Sequence, residues 1–466
     1  MDVVLLSRIQ FAFTIAFHYI FPPLSIGLGI FLVIMEGMYL KTKKKLYEQM
    51  TRFWLRIFAL TFAMGVASGI VMEFQFGTNW SAYSRFVGDV FGSALAAEGV
   101  FAFFLESGFL AILVFGWNRV GPKVHFLSTI LVSFGSMLSA VWIVVANSWQ
   151  QTPAGYHLVG EGDNVRAEIT NFWELVFNPS SMERLSHVLG GAWLAGATVV
   201  ISVSAYYLLK NKHIEFAKAS LKIGIAVALV ASLLQLGTGH ISADGVAENQ
   251  PAKLAAFEGH YEASAPGDMY LFGWVDEKAE KVKYGVKIPG MLSWLVHWDS
   301  SEPVTGLRAF APEDRPPVNA VFQSYHVMIV IGMALIAIAF GGAFFLWRGV
   351  LDKQRWFLWI LVFVVLLPQA ANQLGWLSAE LGRQPWAVYN LLRTTDAVSP
   401  IVSVQQAWFS LILFILVYAL LFVLFIYLLD NKIKTGPAKL EDEASTYEYV
   451  RGEVGSLPLD GRKKGV

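Results

Sequence analysis

The sequence predicts an all-α integral membrane protein of about nine transmembrane helices, with its N-terminus outside and its C-terminus cytoplasmic. Three observations carry this. Long apolar stretches recur along the chain, charged residues are only 15% of it, and basic residues gather in alternate loops. Ordinary soluble domains carry about 25% charged residues. With 55% of its 466 residues hydrophobic, the chain has too little polar surface to cover a water-soluble globule. A lipid-facing surface removes that difficulty.

A helix needs roughly 20 mainly apolar residues to cross the hydrocarbon core. Stretches that qualify lie at 9–38, 53–76, 92–116, 124–147, 187–209, 217–239, 318–347, 356–377 and 405–429. The first, from about Ile9 to Leu40, is too long for a cleavable signal peptide and has no basic leader. The eighth contains Pro368 and is expected to kink there.

Basic residues mark the cytoplasmic side. Lys41, Lys43, Lys44, Lys45, Arg52 and Arg56 follow the first span. Arg119 and Lys123, then Lys210, Lys212, Lys218 and Lys222, then Arg348, Lys353 and Arg355 fall on the same side, with Lys432, Lys434 and Lys439 after the last span. The chain therefore divides into six helices over 1–240, an external loop at 241–317, three helices over 318–430 and a polar cytoplasmic tail at 431–466. The external loop holds seven Lys/Arg, but long loops weigh little in the charge rule.

Net charge is zero, so no global field favours nucleic acid. The absence of cysteine excludes disulfides, thiolate-held iron–sulfur clusters, a thiolate-ligated haem and c-type haem attachment.

Ionisable and metal-ligating side chains inside spans are costly, so each is a functional candidate. They are His18, Glu73, Glu98, Glu106, His187, His326 and Glu380, with Met328 beside His326. His18, His187, Met328, Glu98 and Glu380 come from five spans and fall in the outer half of the membrane. A transporter would more commonly gather its polar groups near the midplane. Each residue also has a plain structural reading. A membrane histidine is often an interhelical contact, a methionine in a span usually packs, and Glu73 at a span end suits a solvated cap. His125, His157, His213, His240, His260 and His297 fall at span ends or in loops and are read as surface residues.

A haem–copper centre needs clustered histidines, and a bc-type cytochrome b needs two His pairs on two helices; neither is present. His, Met and Glu used singly remain. His/Met ligation suits an electron-transfer haem, and a single weak ligand leaves the opposite face open to oxygen. Glu98 and Glu106, eight residues apart, would lie about 12 Å apart along an ideal helix with faces differing by roughly 80°. Such carboxylates can relay protons through water, and Ser139 and Asn147, at the same spacing on the next span, could continue the relay. Ordinary interhelical hydrogen bonding is the competing reading.

The segments Ser7–Thr14 (SRIQFAFT), Met72–Trp80 (MEFQFGTNW), Phe103–Ser107 (FFLES) and Gly382–Trp386 (GRQPW) resemble those of subunit I of cytochrome bd quinol oxidases. The resemblance runs from residue 1 to about 240 and from about 318 to 390. It implies His187 and Met328 as axial ligands of a low-spin haem b, and His18 and Glu380 as ligands of two high-spin haems. These would be a second haem b and a haem d, or a third haem b in its place. It also implies Glu98 as the carboxylate beside the oxygen-binding haem, Glu106 and Ser139 on a proton route, Trp376 between haems, and Arg383 and Arg8 on haem propionates. Lys253 and Glu258, within AKLAAFE, match a quinol-binding pair.

Two features depart from the family's long-loop members. His326 stands where they have Arg, two residues before the Met ligand, and the external loop is short, at about 75 residues. The resemblance implies quinol oxidation coupled to reduction of dioxygen to water, without proton pumping. It further implies a prokaryotic cytoplasmic membrane and a heterodimer with a second membrane subunit, with room for a small single-helix subunit. The alternatives are a cyanide-insensitive relative with haem b replacing haem d, and a cofactor-free secondary transporter.

Overall fold

The computed structural model describes residues 2–438. Among them, nine helical segments are long and apolar enough to cross a membrane, at the positions expected. The tail beyond 438, Lys439 included, lies outside the described residues.

The first crossing consists of α1 (Val3–His18) and α2 (Phe21–Thr42), broken at Tyr19–Ile20. The reason is local. Pro22 and Pro23 have no N–H to return to the carbonyls of His18 and Tyr19, and their rings crowd those carbonyls. His18 is thereby left at a helix end. The second crossing is α3 (Lys45–Gly77). The third is α4 (Ser81–Ala97), a π-helical turn over Glu98–Phe103, and α5 (Phe104–Phe115). The fourth is α6 (Pro122–Gln151), followed by the hairpin β1 (Tyr156–Val159) and β2 (Arg166–Ile169) and the short α7 (Phe172–Val176).

Crossings five and six are α8 (Ser181–Leu209) and α9 (Ile214–Asn249). Between them and the seventh come α10 (Pro251–Glu258), the hairpin β3 (Met269–Asp276) and β4 (Lys281–Ile288), and α11 (Met291–His297). The seventh is α12 (Val318–Trp347), and the eighth is α13 (Arg355–Phe363) with α14 (Leu366–Leu381). The strands β5 (Trp386–Val388) and β6 (Leu392–Arg393) and the turn α15 (Thr394–Ala397) lead into the ninth, α16 (Val404–Thr435).

The expected kink at Pro368 is the gap between α13 and α14. It falls at Val364, the residue four before the proline, whose carbonyl the proline cannot satisfy. The Leu367 N–H donates to Val364 O at 3.1 Å instead, and Ser202 Oγ donates to the nearby Val362 O at 2.5 Å.

The apolar core joins α2, α3, α8, α9, α12 and α13 through Leu28, Trp54, Val200, Leu221, Leu335 and Leu358. Helices α2 and α8 touch backbone to backbone. A Cβ on Gly27 would lie 2.7 Å from Gly196 Cα, so only glycine permits this approach.

The three two-stranded hairpins were not legible in the pattern of the sequence. They lie in the long segments at one end of the bundle. Cross-links tie that end together: Asp89 accepts from the Ile169 N–H at 2.8 Å, the Tyr389 N–H donates to Gln150 O at 2.9 Å, and the Ser399 N–H donates to Asn79 O at 2.9 Å. The links at the other end of the bundle are short and carry the basic residues.

Candidate functional site

His18, at the end of α1, faces α3. Ser68 Oγ donates to Met64 O at 2.8 Å, so its single proton is committed. His18 Nδ1, 3.0 Å from the same oxygen, must then be the donor to it. That tautomer leaves the lone pair on Nε2. His187 on α8 repeats the device. Thr238 Oγ1 donates to Leu234 O at 2.9 Å, so His187 Nδ1–H donates to Thr238 at 3.3 Å and Nε2 faces Gln235 at 3.0 Å. A hydrogen bond that fixes the second ring nitrogen is what orients a metal-ligating imidazole.

Met328 lines the same cavity as His187, its sulfur 3.0 Å from where a Cβ on Gly375 would sit. His326 points elsewhere. Its Nδ1 lies 2.9 Å from Phe322 O and its Nε2 2.7 Å from Tyr270 O, so both nitrogens are turned to backbone carbonyls, outside the cavity lining. The cavity wall fits a large flat group. Gly191, Gly239, Gly332 and Gly375 leave it without side chains at four places, and the buried Gln235 Oε1 and Asn372 Nδ2 have no hydrogen-bond partner. Trp376 lines this cavity, its ring 5.4 Å from that of Tyr19, the residue after His18.

Glu380 near the end of α14 accepts from Asn147 Nδ2 at 3.0 Å, from Gln151 Nε2 at 3.3 Å, and from Arg383. Arg383 also donates to Gln150 Oε1 at 2.5 Å. A carboxylate has about four lone-pair sites, so three donors leave room for one metal bond. Arg8 lies apart, in a polar pocket with Tyr261, Glu277, Arg315 and Gln384.

Glu98 opens the π-helical turn and accepts from Ser139 Oγ at 2.6 Å. The wide turn, with its i→i+5 bonds, replaces the ideal helix assumed between Glu98 and Glu106, so the roughly 80° offset does not hold. Glu106 is buried, with its backbone and Cβ 3.1–3.3 Å from the Cβ position of Gly135 on α6. Asn147 does not continue a relay from these carboxylates, because it faces Glu380. Ser139 and Asn147 are about 12 Å apart on α6. Glu98, bonded to Ser139, therefore lies about that much further along the bundle than Glu380, bonded to Asn147. Glu73 is exposed at the end of α3.

Lys253 and Glu258 both line the cavity that holds His187 and Met328. They differ in what they touch. Lys253, buried on α10, donates to Gln151 Oε1 and Gln250 Oε1. Glu258 is buried with Oε2 unpartnered, and burial pushes its carboxyl up to about 8. Burial also lowers the Lys253 ammonium well below the usual lysine range, with Arg184 and Arg383 adding to the shift.

Three features escaped the sequence. His125, read as a surface residue, is buried. It lies 2.7 Å from Glu36 Oε1, and its Nε2–H donates to Leu113 O at 3.1 Å. Leu113 is among the last residues of α5, where a carbonyl lacks a helical partner, and this draws the histidine inward. Glu36 was not singled out at all. Arg184, one helical turn before His187 and so on its face, donates to Asn147 Oδ1 at 2.8 Å, and its guanidinium stands 6.0 Å from the centre of the Trp376 ring. The spacing Arg184–His187 was the available signal. Gln150 and Gln151 left none.

Comparison with known proteins shows the family. The chain is 41% identical over 446 residues to cytochrome bd ubiquinol oxidase subunit 1 of Bacillus subtilis (strain 168), covering 94% of each chain. It is 36% identical over 513 aligned residues to cytochrome bd-II ubiquinol oxidase subunit 1 of Escherichia coli (strain K12), covering 96% of this chain and 99% of that one. The solved bd oxidase from Geobacillus thermodenitrificans superposes with a TM-score of 0.86 at 31% identity, covering 94% of this chain and 99% of its own. Residues 6–437 match the family described as cytochrome bd terminal oxidase subunit I. The chain belongs to that family.

Proposed function

We propose that this chain is the haem-bearing, quinol-oxidising subunit of a quinol:oxygen oxidoreductase, working beside a second membrane subunit in a prokaryotic cytoplasmic membrane. One observation carries the reading. A single cavity is lined by His187 and Met328 in one part and by Lys253 and Glu258 in another. An electron acceptor and a proton acceptor thus flank one space open to a membrane quinol.

His187 and Met328 would hold a low-spin haem b, and His18 and Glu380 two high-spin haems, a haem b with a haem d or a third haem b. Bound there, these groups supply electron transfer and the reduction of dioxygen to water. The chain's own residues do the rest. Ser68 and Thr238 orient the imidazoles, Arg383 and Arg8 would neutralise propionates, and Trp376 would stand between the haem sites. Glu258 accepts a quinol proton at the face that carries the hairpins, which is the outer face. Glu106, Glu98 and Ser139 hold protons on their way from inside. Charge then crosses the membrane without a pump.

The test is a reduced-minus-oxidised absorption spectrum of the complex purified with its partner, with extraction of its haems. Three haems are expected, and His187→Ala should lose the low-spin band alone. Haem b as the sole extracted type would favour the cyanide-insensitive branch. A colourless, folded complex would overturn the reading and leave a transporter as the better account.

A further inference from the structure

Gln151 is the last residue of α6 and is wholly buried. Its amide is used at both ends. Oε1 accepts from the Lys253 ammonium on α10, and Nε2 donates to Glu380 Oε1 on α14 at 3.3 Å. One side chain therefore joins the loop that lines the quinol cavity to the carboxylate assigned to a high-spin haem. The backbone supports the same junction. The stem of Lys253 lies across Gly382, where an added Cβ would come 2.7 Å from Lys253 Cγ. Gly382 is two residues beyond Glu380, so α10 is seated directly on the segment that carries the carboxylate. A second contact, the stacked rings of Phe257 and Tyr325 at 4.3 Å, holds the other end of α10 on α12.

We propose that Gln151 is a positioning residue that couples the quinol cavity to the Glu380 haem site, which rests on the ligand assignment above. A ligand that shifts Lys253 alters what Gln151 can offer Glu380, and a change at Glu380 alters what Gln151 can accept from Lys253. Such coupling is reciprocal by necessity. Asn147 and Arg383 keep hold of the carboxylate when Gln151 is changed, so the haem site survives and its signal remains readable.

The probe is 2-heptyl-4-hydroxyquinoline N-oxide, a quinol analogue that is not oxidised, titrated into the purified two-subunit complex while the high-spin haem bands are followed. In the wild type its binding should shift those bands. In Gln151→Met, which keeps the shape and removes both hydrogen bonds, the analogue should bind roughly tenfold more weakly, the factor that about 1.4 kcal/mol represents, and leave the bands unmoved. Gln151→Leu, which also removes both hydrogen bonds, should behave in the same way and serves if the methionine variant fails to assemble. No band shift in the wild type, or a full shift in either variant, would overturn the coupling. Glu380→Ala separates this from the ligand assignment: if it keeps all high-spin bands, the assignment itself has failed.

Discussion

Glu258 carries the sharpest prediction at the scale of single residues. A solvated glutamate titrates near 4.3, whereas burial holds this one at about 8. The folded chain thus keeps a proton that the unfolded chain releases between those values, and this group's contribution to stability falls as pH rises from about 4.3 to about 8. Catalysis has the opposite sign. The carboxyl must be ionised to accept a proton, so kcat/KM for quinol should rise with pH with a midpoint near 8. Glu258→Gln should flatten that rise and lower kcat/KM by about 100-fold or more. A wild-type profile that is flat between pH 6 and pH 9.5 would remove Glu258 from the proton-accepting role. The residue types needed for this site were legible in the sequence. The division of labour was not: Lys253 and Glu258 look like equal partners at i, i+5, yet Lys253 is spent on two glutamines and Glu258 keeps a free oxygen. That difference depends on Gln151, about one hundred residues away along the chain.

Among the elements, hydropathy located every crossing, and prolines account for two breaks, of which one was read from the sequence. Pro368 was read as a kink from the sequence. The break at Tyr19–Ile20 follows from the same chemistry at Pro22 and Pro23, which sit inside an otherwise continuous apolar run. The π-helical turn at Glu98 has no such marker. It arises in EGVFAF, where no residue forbids an ordinary helix, so only packing against α6 can select it. Close packing also yields a prediction about helix contacts. A methyl on Gly196 would fall 2.6 Å from Gly27 Cα and 2.8 Å from Leu28 N. Gly196→Ala should force α2 and α8 apart and cost about 1–3 kcal/mol, the usual range for overpacking. Gly341→Ala, whose methyl would meet the Phe357 ring at an ordinary 3.4 Å, is the matched control. Thermal unfolding of the purified complex measures both, and equal midpoints would show that the α2–α8 contact relaxes freely.

At the scale of the whole molecule, the two ends of the bundle differ in kind. One carries three hairpins, α10 and α11, and the other carries short basic links. The charge rule puts the basic end in the cytoplasm. Because the chain has no cysteine, a single introduced thiol reports its own side. In right-side-out vesicles, a membrane-impermeant maleimide should label Ser300→Cys and spare Lys212→Cys, both at exposed positions. The reverse pattern would invert the proton path proposed above.

The sequence by itself determined the number of crossings, their approximate places, the candidate ligands and the family. Each of these rests on local information: apolar length, charge in short links, and side chains too costly to bury without purpose. Only the tertiary structure decided which residues hold the rings of His18 and His187, that both nitrogens of His326 face backbone carbonyls, and that His125 is buried against Glu36. It also decided that Gln151 stands between Lys253 and Glu380. These depend on hydrogen-bond partners brought together from separate elements, and where water is excluded a buried polar group gains most from such a partner.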